Sequence, residues 1–333
     1  MNDRVEGSTA GLGGGAPLAR LRLAARDGET LPQRRAVAGP LSPDASLSDA
    51  IAVTLSDCLN RFSDHAARLR QGYDVEAVHQ TRVALRRLRA LLGLVKSAVP
   101  CAARGAISAR AKAVASALGA AREWDVLCEG LERDAGELAR SEPALYALLD
   151  EAERRRFKAH DEARLAVAAP ATQAFESQLD EFIARCGWLE GAEGLGEKGS
   201  ARAFSERALS RLHRRAEKRC AEAERASAEE LHQARIAVKK ARYAAELFQD
   251  LFPRAGVRAY LRGLAKTQEY LGAANDLETA ARLFGEMVEQ DESQQSAVAV
   301  KFLQKRRKQS DRRIIRSARD SGRRFRRLEA FWG

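Results

Sequence analysis

The sequence predicts an all-α protein assembled by internal duplication, on three observations. The stretch from His79 to Pro100, HQTRVALRRLRALLGLVKSAVP, returns without a gap as HQARIAVKKARYAAELFQDLFP from His232, an offset of 153 positions. The same offset pairs Leu118-Gly119-Ala120-Ala121 with Leu271-Gly272-Ala273-Ala274, so the duplication outruns the motif. Alanine, leucine, arginine and glutamate dominate, glycine is sparse beyond the N-terminus, and long β-branched runs are missing, which is helical composition. A chain of 333 residues has room for two units, each with a core of its own.

Each motif copy has the pattern of an amphipathic helix with two stripes. Val78, Thr81, Leu85, Leu88, Leu92 and Val95 recur at spacings of three and four, the mark of a buried face. His79, Arg82, Arg86, Arg89 and Lys96 follow one position later, about 100° round the helix, on the flank of the core stripe. Copy two has Leu231, Val238, Ala241 and Phe248 inside and His232, Arg235, Lys239 and Arg242 on the flank. Arg86 and Arg87 become Lys239 and Lys240, so charge is kept where identity is not. A merely solvated face would carry acids at i±4 to neutralise its cations. None occurs between Glu76 and Glu123, a span that holds nine Lys and Arg. Such a field asks for an anion.

In chain order, residues 1–46 read as a flexible tail, nearly all glycine from Gly11 to Gly15 and then punctuated by Pro17, Pro32, Pro40 and Pro43. The first repeat, 47–190, opens with Ser48 and Asp49 as cap candidates before Ile51, Leu55, Leu59 and Phe62. Gln71-Gly72 ends that helix, Asp74 is placed to cap the motif helix, and Pro100 to stop it. A third helix covers about Arg104 to Leu118 and a fourth follows Trp124, itself expected in the core. A long charged helix runs over 143–167 and closes at Pro170, and a short packing helix covers 175–188. A glycine-rich linker at 191–200 leads to the second repeat, 201–333. Its expected helices are one with Leu209 and Leu212 inside, the second motif helix, 254–274, 276–290 capped by Asn275 or Asp276, and a last one from about Ser293 to Phe331.

That last helix is the most basic part of the chain. From Lys301 to Gly333 there are thirteen Lys and Arg against three acids, nearly the whole net charge of +11. Lys305, Lys308, Arg312, Arg316, Arg319, Arg323 and Arg326 share a face, while Ile314, Ile315, Phe325, Leu328, Phe331 and Trp332 argue for a packed helix and against a disordered basic arm.

Several chemistries are excluded. Cys58, Cys101, Cys128, Cys186 and Cys220 are scattered without metal-type spacing and read as free thiols of a reducing compartment. No apolar run approaches the ~18 residues of a membrane span, and no signal peptide is visible, so the expected location is the cytoplasm. Each motif offers one histidine beside arginines that repel a cation, so no metal site is expected. No Ser-His-Asp order, P-loop or dinucleotide fingerprint occurs. The reading therefore names no catalytic residue and no cofactor.

The pattern V-H-Q-x-R-V-A-L-R-R-L-R, repeated as L-H-Q-A-R-I-A-V-K-K-A-R, is followed by L-G-A-A-R-E-W-D in one copy and L-G-A-A-N-D-L-E in the other. It resembles the CHAD domain, the conserved histidine α-helical domain, from about Leu47 to Trp332. Glu123 stands where that family usually has Asp, and Ala241 replaces the Leu seen at Leu88. The resemblance implies two four-helix bundles related by a pseudo-twofold axis, around a basic central cleft that binds inorganic polyphosphate. It also implies an association with polyphosphate granules and their proteins. On this sequence the binding residues are then His79, Arg82, Arg86, Arg89, His232, Arg235, Lys239 and Arg242. Secondary contacts are expected from Arg87, Lys112, Arg122, Arg155, Arg156, Lys240, Arg306, Arg307 and Arg312. In many relatives a triphosphate-tunnel (CYTH) domain comes before this one, and the Arg-rich piece from Leu18 to Val37 could be a remnant of its end; the E-x-E-x-K strand is absent, so no catalysis is assigned to it.

The residues themselves suit such a ligand. Polyphosphate carries a charge on every unit and no bases, so it calls for arginine forks and lysine point charges along a track, with few aromatics. Aromatic content is 6%, and the basic stripes carry none. Two alternatives stay open: nucleic-acid binding through the basic C-terminal helix, for which no groove-reading motif is present, and an accessory module of phosphate or triphosphate metabolism.

Overall fold

The computed structural model describes residues 40–98, 101–189, 200–223, 228–291 and 293–333. The glycine-rich run 11–15, Pro100 and most of the linker lie outside them. The fold is all-α; one antiparallel bridge, Ser46 with Ser200, is the only extended pairing among the described residues.

Helix α1 (Leu47–Gln71) begins at Ser46, whose hydroxyl accepts from the Asp49 amide at 3.1 Å while the Asp49 carboxylate takes the Ser46 amide, a capping box. Ser48, expected as a cap, is buried instead and accepts the Trp188 indole N–H at 2.8 Å. Asp74 caps α2 (Val75–Leu94) by accepting from the Ala77 amide at 2.8 Å, as its position in the sequence predicts. Helices α3 (Ala102–Ala117) and α4 (Gly119–Ala139) meet at Leu118, so α4 begins before Trp124. Helices α5 (Pro143–Ala168) and α6 (Pro170–Ala184) open on proline in the first turn, where the missing N–H costs nothing. The second half contains α7 (Ala201–Glu222), α8 (Ala228–Leu247), α9 (Arg254–Glu289) and α10 (Gln295–Phe325). Ser200 caps α7 through the Ala203 amide at 3.3 Å, so the two bridged serines are also the caps of the two opening helices.

Three expectations change. Residues 41–46, expected in the tail, pack down: Leu41 and Ala45 are buried, and the Ala45 carbonyl accepts from the Ala201 amide at 3.0 Å. α9 is one helix of 36 residues where two were expected. Asn275 and Asp276 lie in its middle, where backbone amides already have partners and need no cap; Asn275 Oδ1 instead meets His232 Nδ1 at 3.2 Å. The last helix stops at Phe325, after which Leu328, Phe331 and Trp332 turn back onto α9 and α7. Phe331 sits edge-on to Phe252 and Tyr260, Trp332 Nε1 donates to Ser210 Oγ at 2.8 Å, and a Cβ on Gly263 would overlap the Leu328 side chain.

The core stripes are where the spacing puts them. Val78, Thr81, Leu85, Leu88, Leu92 and Val95 are each 1% exposed or less, and Leu231, Val238, Ala241 and Phe248 are buried as well. α2 packs on α1 and α3, and α8 on α7 and α9. The two motif helices also pack directly on one another, which brings sequences 153 positions apart together. Trp124 is buried, and so are Cys58, Cys128, Cys186 and Cys220.

Candidate anion-binding site

With the core stripe of α2 turned inward, its flank lies against α8. Arg86 Nε crosses that contact and donates to the Tyr243 hydroxyl at 3.1 Å. One turn earlier, Arg82 Nη1 donates to the Ala115 carbonyl at 2.5 Å, near the end of α3. Burial first, then the charges of Arg86 and Arg122, pull the Arg82 guanidinium down to about 10, against Glu123 and Tyr243. Opposite, Lys239 is pushed down to about 7 by burial and then by Arg235, Arg86 and Arg82, with Asp276 opposing. Arg235 is lowered by burial and by Arg86, and His79 by burial and by Arg122, Arg86 and Arg82. Arg82, Arg86 and Arg122 from the first half thus share one electrostatic neighbourhood with Arg235 and Lys239 from the second.

This cluster is under-neutralised. Asp276 is the acid that acts on it from the second half; loss of hydration raises its carboxyl, against the pull of Arg235, Lys239 and Arg122. Glu123, its counterpart by the repeat offset, is paired across the halves with Arg282 of α9. The Nε donors of Arg82, Arg89 and Arg235 are buried without a partner. An unmet buried donor costs on the order of 1–3 kcal/mol, and the ion-paired Arg70 and Arg87 leave the same atom unmet.

The family description "CHAD domain" matches residues 54–285, which include both motif copies. The chain belongs to the CHAD family. It superposes on the crystal structure of the CHAD domain from the plant Ricinus communis with a TM-score of 0.74 and 32% identity, covering 90% of this chain and 99% of that one. PptA from Streptomyces chartreusis gives a TM-score of 0.62 at 18% identity, over 84% and 98% of the two chains, a likeness of fold. Comparison with curated proteins gave no match.

The two CHAD motif histidines are not equivalent here. His79 is half-buried and faces the arginine cluster, whereas His232 is turned to Asn275 and lines a cavity of about 400 Å³ with Asp311 and Arg319. Arg242 is held by Glu246, Nε to Oε1 at 2.6 Å, and by Gln268, Nη1 to Oε1 at 3.1 Å. Among the secondary candidates, Arg122 joins the cluster and also meets Glu129 at 3.8 Å. Arg87 is paired with Asp57 at 3.3 Å, Arg155 with Glu151 at 2.6 Å, Arg156 with Asp125 at 2.9 Å and Arg307 with Asp134 at 3.2 Å. Lys112, Lys240, Arg306 and Arg312 are exposed.

Sequence reasoning missed Tyr243, an aromatic on the second basic stripe, which was expected to carry none. The repeat carried the signal: Tyr243 falls where the first copy has Ala90, and it stands one and two turns beyond Lys239 and Arg235 on the same stripe. It missed Asp276 as a counter-charge too, by reading it as a cap. Among the described residues, no helix is long and apolar enough to cross a membrane.

Proposed function

We propose that this CHAD protein binds inorganic polyphosphate without turning it over, at an anion site between two helical repeats related by a pseudo-twofold axis. The observation that carries the reading is the meeting of Arg82, Arg86 and Arg122 with Arg235 and Lys239, cations from both motif copies with too few acids among them. From Arg82 to Arg89 one stripe spans roughly 10 Å and reaches only a few phosphate units. Two stripes in contact give a longer track, which is a functional reason for the duplication. Arginine forks and a lysine that gains its charge on binding suit a thin, densely charged chain better than a duplex. Recruitment to polyphosphate granules in the cytoplasm, and contact with proteins there, follows from such binding.

Competition between labelled polyphosphate and duplex DNA or RNA at physiological salt tests the reading. Polyphosphate should win by more than tenfold, about 1.4 kcal/mol, and incubation with the protein should release no phosphate. Equal competition by duplex DNA would move the assignment to nucleic acid, and released phosphate would make the protein an enzyme.

A further inference from the structure

Helix α10 follows the part of the chain matched by the family, which ends at residue 285. Its inner side packs on α5, α7 and α9, and Phe325 is fully buried. Its outer side is a row of cations. Lys305, Lys308, Arg312 and Arg316 are exposed, with no ion-pair partner among the described residues, and Arg319, Arg323 and Arg326 continue the row. At 1.5 Å per residue the row is about 31 Å long, with a charge about every 5 Å. Of the acids on α10, Asp311 is half-buried beside Arg307, and Asp320 pairs with Arg323 of the row itself, at its C-terminal end and away from Lys305, Lys308, Arg312 and Arg316. Arg319 borders the same cavity of about 400 Å³ as His232, so the row passes one cavity away from the second motif copy. Glu278 and Asp311 also line that cavity, so it is not itself an anion site.

We propose that the outer face of α10 is a second polyphosphate track, taken up by the same chain once it is long enough to run on from the α2–α8 cluster. This rests on the polyphosphate reading above. Duplex DNA is the rival occupant, and the test below separates it from a thin chain. A single-stranded nucleic acid would want rings along the row; the exposed Phe302 sits beyond its first residue, under Arg306 at 5.8 Å. A thin flexible polyanion needs only the charges.

The test compares tripolyphosphate with long-chain polyphosphate on the wild-type protein and on the variant K305Q/K308Q/R312Q/R316Q, whose four sites are exposed and whose glutamines keep helix propensity. Both proteins should bind tripolyphosphate alike. For the long chain, the variant should bind more weakly, and its slope of log affinity against log salt should be shallower by about 3 units, taking about 0.7 per single-strand charge. An unchanged long-chain slope overturns the inference while the central site stands. Equal losses for both ligands overturn it too, since the face would not be a separate track. So does a variant that loses duplex DNA binding but keeps its long-chain affinity. A wild-type protein that binds neither phosphate chain removes the underlying reading as well.

Discussion

Replacing Lys239 with arginine isolates the cluster's most perturbed charge. In the folded protein Lys239 falls from 10.5 to about 7, because it is buried and then because Arg235, Arg86 and Arg82 surround it. Charging it among these neighbours therefore costs on the order of 4 kcal/mol once some screening is allowed for. At pH 8 a group of this kind is about 90% neutral. A polyanion brings the missing counter-charge and should return it to the ordinary lysine range, so binding at pH 8 should take up close to one proton. Affinity should fall as pH rises above 7, by up to about tenfold per unit. Titration calorimetry at pH 8, in buffers of different ionisation enthalpy, reads the proton count. K239R keeps its charge throughout, so its uptake should be close to zero while binding persists. The same shift sets the sign for stability. Between about pH 7 and 10.5 the folded protein holds fewer protons than the unfolded chain, so the unliganded protein should gain stability as pH rises through that window. Equal proton uptake by wild type and K239R, or proton release by the wild type, would refute the reasoning.

Other outcomes follow from the same geometry. The quadruple variant R82Q/R86Q/R235Q/K239Q should lose polyphosphate binding and keep its helical circular dichroism, because these side chains flank the core stripe; an unfolded variant would make them structural. Y243F removes the acceptor for Arg86 Nε and should weaken binding about fivefold, roughly 1 kcal/mol, at unchanged melting temperature; unaltered affinity would leave Tyr243 without a positioning role. Ending the chain after Phe325 removes Leu328, Phe331 and Trp332 from Tyr260 and Gly263, and should lower the melting temperature by several degrees. A melting curve like that of the full chain would show that this return segment does not hold α9.

The motif helices were legible because their core stripe is periodic and repeated: each position from Val78 to Val95 named from spacing is buried. The flank was legible as a stripe, but not which of its members remain available to an anion. Arg242 has Glu246 one turn on, where the first copy has Gly93, and the i,i+4 rule could have removed it from the candidates. The pairings of Arg156 with Asp125 and of Arg307 with Asp134 join separate helices, and no local pattern announces them. The break expected at Asn275 failed for a related reason. A side chain that suits a cap suits a tertiary partner equally well, and His232 supplied one.

Stoichiometry and cross-repeat loss with a short polyphosphate test the central claim most directly. If α2 and α8 build one site, calorimetry should give one tripolyphosphate per chain, and R82Q/R86Q or R235Q/K239Q alone should each weaken binding by more than tenfold. Two independent sites per chain, or either double variant keeping one intact site at wild-type affinity, would contradict a shared site.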